Sequence, residues 1–113
     1  MNPSSSTPLP VVRVSLAWFP PEKLDEVARI MDYRGQPLEA AIGKLPGLIS
    51  FHSGIDRQRH ALVNVSFWVS VEAAEQLTTL QAMLDAGGVL TGLGAQFVRP
   101  IVNAETLWSF SPR

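Results

Sequence analysis

The chain has 113 residues, 46% of them hydrophobic and 17% charged, with no cysteine and a formal net charge of −1. That length suits one domain, on the usual scale of roughly 100–200 residues per domain. Several classes are excluded: without cysteine there is no disulfide scaffold, thiolate metal site or cysteine nucleophile; nine Lys and Arg against ten Asp and Glu leave no basic surplus for nucleic acid; and the longest uncharged stretch, Ala86–Val98, carries four glycines and falls short of the roughly 20 residues that span a bilayer.

Met1–Pro10 (MNPSSSTPLP) has little to bury and is expected to be a flexible arm ahead of one folded domain, residues 11–113. It has neither the basic start nor the apolar run of a secretory signal, so a cytoplasmic location is expected. Val11–Phe19 (VVRVSLAWF), β-branched and aromatic and stopped by Pro20-Pro21, predicts a strand. Pro21 suits the first turn of a helix, and Glu22, Asp25 and Glu26 suit its positive end. Leu24, Val27, Ala28 and Met31 then give one apolar stripe. Arg34-Gly35-Gln36-Pro37 is expected to interrupt this helix, with Leu38, Ala41, Ile42 and Leu45 marking a second piece before Pro46-Gly47.

Leu48–Ile55 and His60–Ser70 predict a strand pair joined by a short polar loop at Asp56–Arg59. Ser70 is a good N-cap for a helix over Val71–Ala86, whose stripe of Ala73, Leu77, Leu80 and Leu84 stops at Gly87-Gly88. Gly88–Pro100 reads as a loop and Glu105–Phe110 (ETLWSF) as the last strand. The glycines of that loop lack the order and the preceding strand of a dinucleotide site, and Ser53-Gly54 lacks a hydrolase elbow.

The resulting order, β-α-β-β-α-β, is that of an α+β ferredoxin-like domain: an antiparallel sheet with its helices on one face. Side-chain alternation then predicts the faces. The more apolar set of the third strand, Val63, Val65, Phe67 and Val69, is expected to meet the helices together with Ile49, Phe51 and Ile55 of the second. The opposite face, with Leu62, Asn64, Ser66 and Trp68 beside Ser50 and His52, mixes bulky and polar groups and fits a lined cavity. Charged residues at 17% fall below the usual ~25%, although a small domain needs more polar cover rather than less. A partner surface is therefore expected, and a symmetric homodimer is the commonest kind.

The run VNVSFWVSVEAA at Val63–Ala74, with LPGLISFHSGID before it, resembles the third strand, second helix and second strand of the antibiotic biosynthesis monooxygenase-like family of the dimeric α+β barrel superfamily. The resemblance spans about Val11 to Phe110. It implies that two ferredoxin-like subunits pack sheet against sheet, each with a pocket between its sheet and its helices or loops. Some members oxidise aromatic polyketides with O₂ and no flavin or metal, so it implies no cofactor. In those members an asparagine and a tryptophan four residues apart on this strand contribute to the active site, a pattern that Asn64 and Trp68 match. Val69 stands where an acidic residue often follows the tryptophan, and the second helix has no histidine to ligate haem, which argues against haem degradation.

The candidate catalytic residues are thus Asn64, as a donor to a developing enolate, and Trp68, as a stacking face for the ring. About 13 Å separates positions i and i+4 of a strand, so a polycyclic phenol or enol could bridge them. Alternatively, Trp68 fills the dimer core and Asn64 pairs with backbone. Candidate substrate-binding residues are His52, Ser66, Arg13 and Tyr33. Arg13, in an otherwise apolar strand, is either an edge charge, the commoner case, or a cation facing the pocket. His52 is a general base or simply a hydrogen-bonded histidine, and Tyr33 is a ligand contact or an ordinary helix-end tyrosine. His52 and His60 have no carboxylate at metal-ligand spacing, so no metal is expected. Two functions follow: a cofactor-free monooxygenase, or a non-catalytic small-molecule-binding or assembly module of the same superfamily.

Overall fold

Val11–Trp18 forms β1, and it lies inside the sheet, hydrogen-bonded to a strand on each side. The computed structural model describes residues 9–112, without the side chain of Arg34; the expected arm, Met1–Pro10, lies outside the described residues except for Leu9 and Pro10. A 3₁₀ turn at Pro21–Lys23 leads into α1 (Leu24–Ile42), followed by β2 (Leu48–Asp56) and β3 (Ala61–Trp68). Then come a short α2 (Val71–Glu75), a 3₁₀ turn (Gln76–Thr78), α3 (Gln81–Gly92), β4 (Gln96–Phe97) and β5 (Val102–Glu105). All pairings are antiparallel: β2 with β3, β3 with β1, and β1 with both β4 and β5. This is the expected α+β ferredoxin-like fold, its last strand delivered in two pieces. No helix among the described residues is long and apolar enough to cross a membrane.

Three elements differ from expectation. Helix α1 runs unbroken through Pro37. Its buried positions, Leu24, Val27, Leu38 and Ile42, keep one helical phase across the proline, and their packing holds the helix together. The residue whose carbonyl loses its partner to the missing proline N–H, Tyr33, is 84% exposed, so water can take that bond.

The second helix divides instead at Thr79–Leu80, where Leu80 is extended at ψ 120°. Ser70 does cap α2, its Oγ accepting from Ala73 N at 3.0 Å. The break shifts the apolar phase, so Ala86 and Leu90 point into the core and Leu84 is exposed. Helix α3 therefore continues through Gly87 and Gly88. A Cβ on Gly88 meets nothing within 4 Å. Gly88→Ala should raise stability by roughly 0.5–1 kcal/mol, the helical penalty of glycine against alanine. A thermal melt reads this directly, and an unchanged or lower midpoint contradicts a helix there.

The last strand ends at Glu105 because its partner runs out: Glu105 pairs with Val11, the first residue of β1. One further bond follows, Thr106 N to Pro10 O at 3.1 Å. Beyond it Leu107, Trp108 and Phe110 are exposed, with Trp108 stacked on Phe110 at 5.7 Å.

The sheet faces are the reverse of the expectation for β3. Residues opposite one another across a ladder share a face. Trp68, Ser66, Asn64 and Leu62 align with Val11, Arg13, Ser15 and Ala17 of β1, and this set faces the helices. Trp68 is fully buried against Leu38, Ile42, Ala74, Leu77 and Ala86. Val63, Val65 and Phe67 align with Leu16, Val14 and Val12 on the open face. On β2, Phe51 and Ile55 pack towards the helices as expected, but an irregularity between Leu48 and Ser50 leaves Ile49 exposed and sends Leu48 inward. The close Pro46-Gly47 turn needs glycine: Gly47 has φ +85°, and a Cβ there would lie 2.7 Å from Val69 Cγ2.

Candidate functional site

Between the sheet and the helices lies a cavity of about 420 Å³, within the ~300–1,000 Å³ range of small-molecule pockets. Its floor is the helix-facing side of the sheet: Arg13, Ser15 and Ala17 of β1, Leu62, Asn64 and Ser66 of β3, and Phe51 of β2. Met31 and Leu38 of α1 form one wall, and Met83, Leu84, Gly87 and Leu90 of α3 another. Leu77 and Thr78 close one end, and Phe97, Arg99 and Ile101 contribute from the segment that includes β4. The surface is mainly hydrocarbon, with a minority of polar side chains that includes Arg13, Asn64 and Ser66. No Asp, Glu, His, Lys or Tyr is among the lining residues, whereas two arginines are.

Arg13 is a pocket cation and not an edge charge: it is 6% exposed on an interior strand. Its Nη1 donates to Asn103 Oδ1 of β5 at 3.2 Å, and its Nη2 donates to Thr78 Oγ1 at 3.4 Å. Both acceptors are neutral, and no described carboxylate is within salt-bridge distance of the guanidinium. Burial holds Arg13 below the ordinary arginine pKa; Glu75 opposes this and Arg99 adds to it. Arginine nevertheless remains charged at neutral pH. Arg99 lies at the rim, its guanidinium 5.1 Å from the centre of the Phe97 ring.

Asn64 lines the same cavity, and its Oδ1 is buried with no hydrogen-bond partner among the described residues. Pairing of Asn64 with backbone is therefore not made through this oxygen among the described residues. A buried acceptor left unpaired costs about 1–3 kcal/mol, so this atom is poised to take a donor from a bound molecule. Ser66, 2% exposed, lines the floor and accepts a 2.8 Å hydrogen bond from Trp68 Nε1.

Trp68 does not present its ring to the cavity. The indole fills the helix–sheet core and is hydrogen-bonded to Ser66 of the cavity floor. His52 stands on the open face of the sheet, exposed, with Nε2 3.2 Å from Ser50 Oγ and its ring edge-on to Phe67. Tyr33 is exposed on α1 and is not a lining residue. Arg13, Asn64 and Ser66 are thus brought together, whereas His52, Tyr33 and the Trp68 ring are not. Sequence patterning missed Met83, Leu84, Gly87, Phe97, Arg99 and Ile101. Most of these lie in or beside the glycine-rich stretch expected to be a loop, and no local motif marks them.

No protein-family model and no curated protein matches the chain. Solved structures do match. A monooxygenase from the gene ActVA-Orf6 of Streptomyces coelicolor, in complex with nanaomycin D, superposes with a TM-score of 0.67 at 16% identity, over 93% of this chain and 94% of that one. A variant of SnoaB, a cofactor-independent oxygenase from Streptomyces nogalater, gives 0.61 at 13% identity, over 91% and 98%. The chain shares its fold with these two oxygenases. A dimeric ferredoxin-like protein from an uncultured marine organism shares it as well, at a TM-score of 0.68 and 13% identity over 93% and 94%. At these identities the monooxygenase likeness is one of fold, and chemistry has to be argued from this chain's own residues.

Proposed function

We propose that the protein is a cofactor-independent monooxygenase acting on a small or polycyclic phenol or enol, and that it works as a homodimer closed through the open face of its sheet. The observation that carries the catalytic half is the buried Asn64 Oδ1, without a hydrogen-bond partner among the described residues, in the mainly apolar cavity that Arg13 also lines. Oxygenation without a cofactor requires a substrate that reacts with O₂ as its own anion. The protein must bind the ring, stabilise negative charge and keep bulk water away. The walls supply the first and last of these, and Arg13 with the Asn64 amide supplies the second. An amide can accept from a phenolic O–H through its oxygen or donate to an enolate through its nitrogen.

The atoms balance for a substrate methylene activated by a neighbouring ring carbonyl or hydroxyl. Its carbanion transfers electrons to O₂ and forms a C–O bond. Cleavage of the O–O bond then leaves the carbon as a carbonyl and releases the second oxygen as water. The substrate loses four electrons, and O₂ gains them. Since no Asp, Glu, His, Lys or Tyr is among the lining residues, the first proton leaves by the substrate's own acidity. Trp68 acts as a positioning residue, holding Ser66.

Val12, Val14, Leu16, Val63, Val65 and Phe67 make the open face apolar, and Val102, aligned with Val14, is 55% exposed. A continuous apolar face of this kind marks a protein interface, consistent with the low charge fraction. A non-catalytic binding module would use the same cavity but consume no oxygen.

Oxygen uptake with hydroxylated anthrones and naphthols, in the presence of a chelator, tests the activity. Uptake with one oxygen atom of ¹⁸O₂ retained in the product is expected; tight binding with no uptake removes the enzyme and leaves the module. Sedimentation tests the assembly: twice the chain mass is expected at micromolar concentration, falling to one chain mass in Val65→Glu. A wild-type monomer contradicts the dimer.

A further inference from the structure

Arg13 is the one buried charged side chain among the described residues, and its hydrogen-bond partners do not account for its burial. A guanidinium has five N–H donors, and here two of its nitrogens donate to the neutral oxygens of Asn103 and Thr78. A 6%-exposed cation with neutral hydrogen-bond partners, no described carboxylate in contact and only the charge of Glu75 acting from farther off to offset its burial is incompletely compensated. Arg13 borders the cavity, and the other charged residue of the lining, Arg99, has the same sign. Ser15, Asn64, Ser66 and Thr78 provide further polar groups around it. The hydrocarbon remainder, from Met31 and Phe51 to Leu90, suits a flat ring system.

We propose that the Arg13 side of this cavity is an oxyanion subsite, so that the molecule it selects is an aromatic that already carries a negative charge on oxygen, as a ring carboxylate or as a phenolate, on entering. This rests on the cavity being the ligand site, and it adds a specificity: Arg13 recognises an anionic oxygen that the ligand already carries, apart from any carbanion formed at its reacting carbon. Planar bidentate pairing suits arginine and a carboxylate. Asn103 and Thr78 hold the guanidinium plane from β5 and from the turn before α3. Arg99 at the rim draws anions towards the opening. A neutral ligand of the same shape would leave Arg13 no better compensated than before.

The test uses three naphthalene probes, 2-naphthoate, 2-naphthamide and 2-naphthol, titrated into the protein by calorimetry. At pH 7 the naphthoate should bind about ten- to a hundredfold more tightly than the isosteric amide, the range expected for a charge-assisted hydrogen-bonded pair. The naphthol should bind weakly at pH 7 and gain affinity as it ionises above pH 9, following its own pKa. Arg13→Gln should abolish the preference for naphthoate over naphthamide while keeping binding of the amide, and Arg13→Lys should retain part of it. If Arg13→Gln does not fold, the wild-type comparison still decides. Equal affinity for naphthoate and naphthamide, a preference unchanged in Arg13→Gln, or no binding of naphthoate at millimolar concentration each overturns the subsite. The oxygenase stands or falls separately: naphthoate selectivity in a protein that consumes no oxygen with any phenol removes the enzyme and keeps the subsite. Oxygen uptake with neutral substrates and no anion preference does the opposite.

Discussion

Trp68→Ala should lower stability by about 3–5 kcal/mol, the usual cost of truncating a large buried aromatic. The indole is fully buried against residues of α1, α2 and α3 as well as the sheet. Its removal opens a void where helices and sheet meet and leaves Ser66 Oγ without its donor. Trp68→Phe should fall between: much of the volume stays, but the 2.8 Å hydrogen bond is lost. Urea unfolding followed by circular dichroism measures both. A loss below about 1 kcal/mol for the alanine variant would mean that the ring does not carry the core. Ligand affinity should change less than stability, because the ring is not among the lining residues.

Asn64→Ala should behave in the opposite way. Removing one preorganised donor to a developing oxyanion typically costs about 2.7–4 kcal/mol in the barrier, or roughly 10²–10³ in rate. Oxygen uptake at saturating substrate should drop by that factor. Stability should stay near wild type, since Asn64 Oδ1 has no hydrogen bond to lose, and deleting a buried unpaired acceptor is neutral or favourable. Paired measurements of uptake and melting separate a catalytic amide from a structural one. Full uptake with a lowered melting temperature would assign Asn64 to the fold.

The contrast between these two residues shows what alternation along a strand can and cannot reveal. It correctly places Leu62, Asn64, Ser66 and Trp68 on one side of β3 and Val63, Val65 and Phe67 on the other. Which side meets the helices is not contained in the pattern. Apolar character was the criterion, and it fails where the inner face holds a cavity with polar groups and the outer face is itself apolar. The same criterion on β2 was right for Phe51 and Ile55, because no polar site residue sits there, and wrong for Ile49, because an irregularity in the ladder changes the alternation locally.

Helix interruptions depart from the local sequence signals for a related reason. Pro37 and Gly87-Gly88 are local signals, but the continuity of α1 and α3 is decided by Leu38, Ile42, Ala86 and Leu90 packing at a distance. Arg13 is interior because β4 and β5 cover the edge of β1. A charge on a first strand looks like an edge charge until the far end of the chain is placed beside it.

That placement also orders events during synthesis. β1 is made before the other strands, yet one of its two neighbours consists of β4 and β5, and the bond from Arg13 to Asn103 spans 90 positions. Contacts so distant in sequence form late, because closing the intervening chain must precede any gain from them. A nascent chain halted before Val102 would have β2, β3 and both long helices available but would leave Val11–Val14 with one bare edge, a ready template for pairing with another chain. In the same state Arg13 would lack Asn103. Completion of the sheet and orientation of the cavity's cation therefore coincide, so partly made chains can neither close their edge nor assemble the polar end of the cavity.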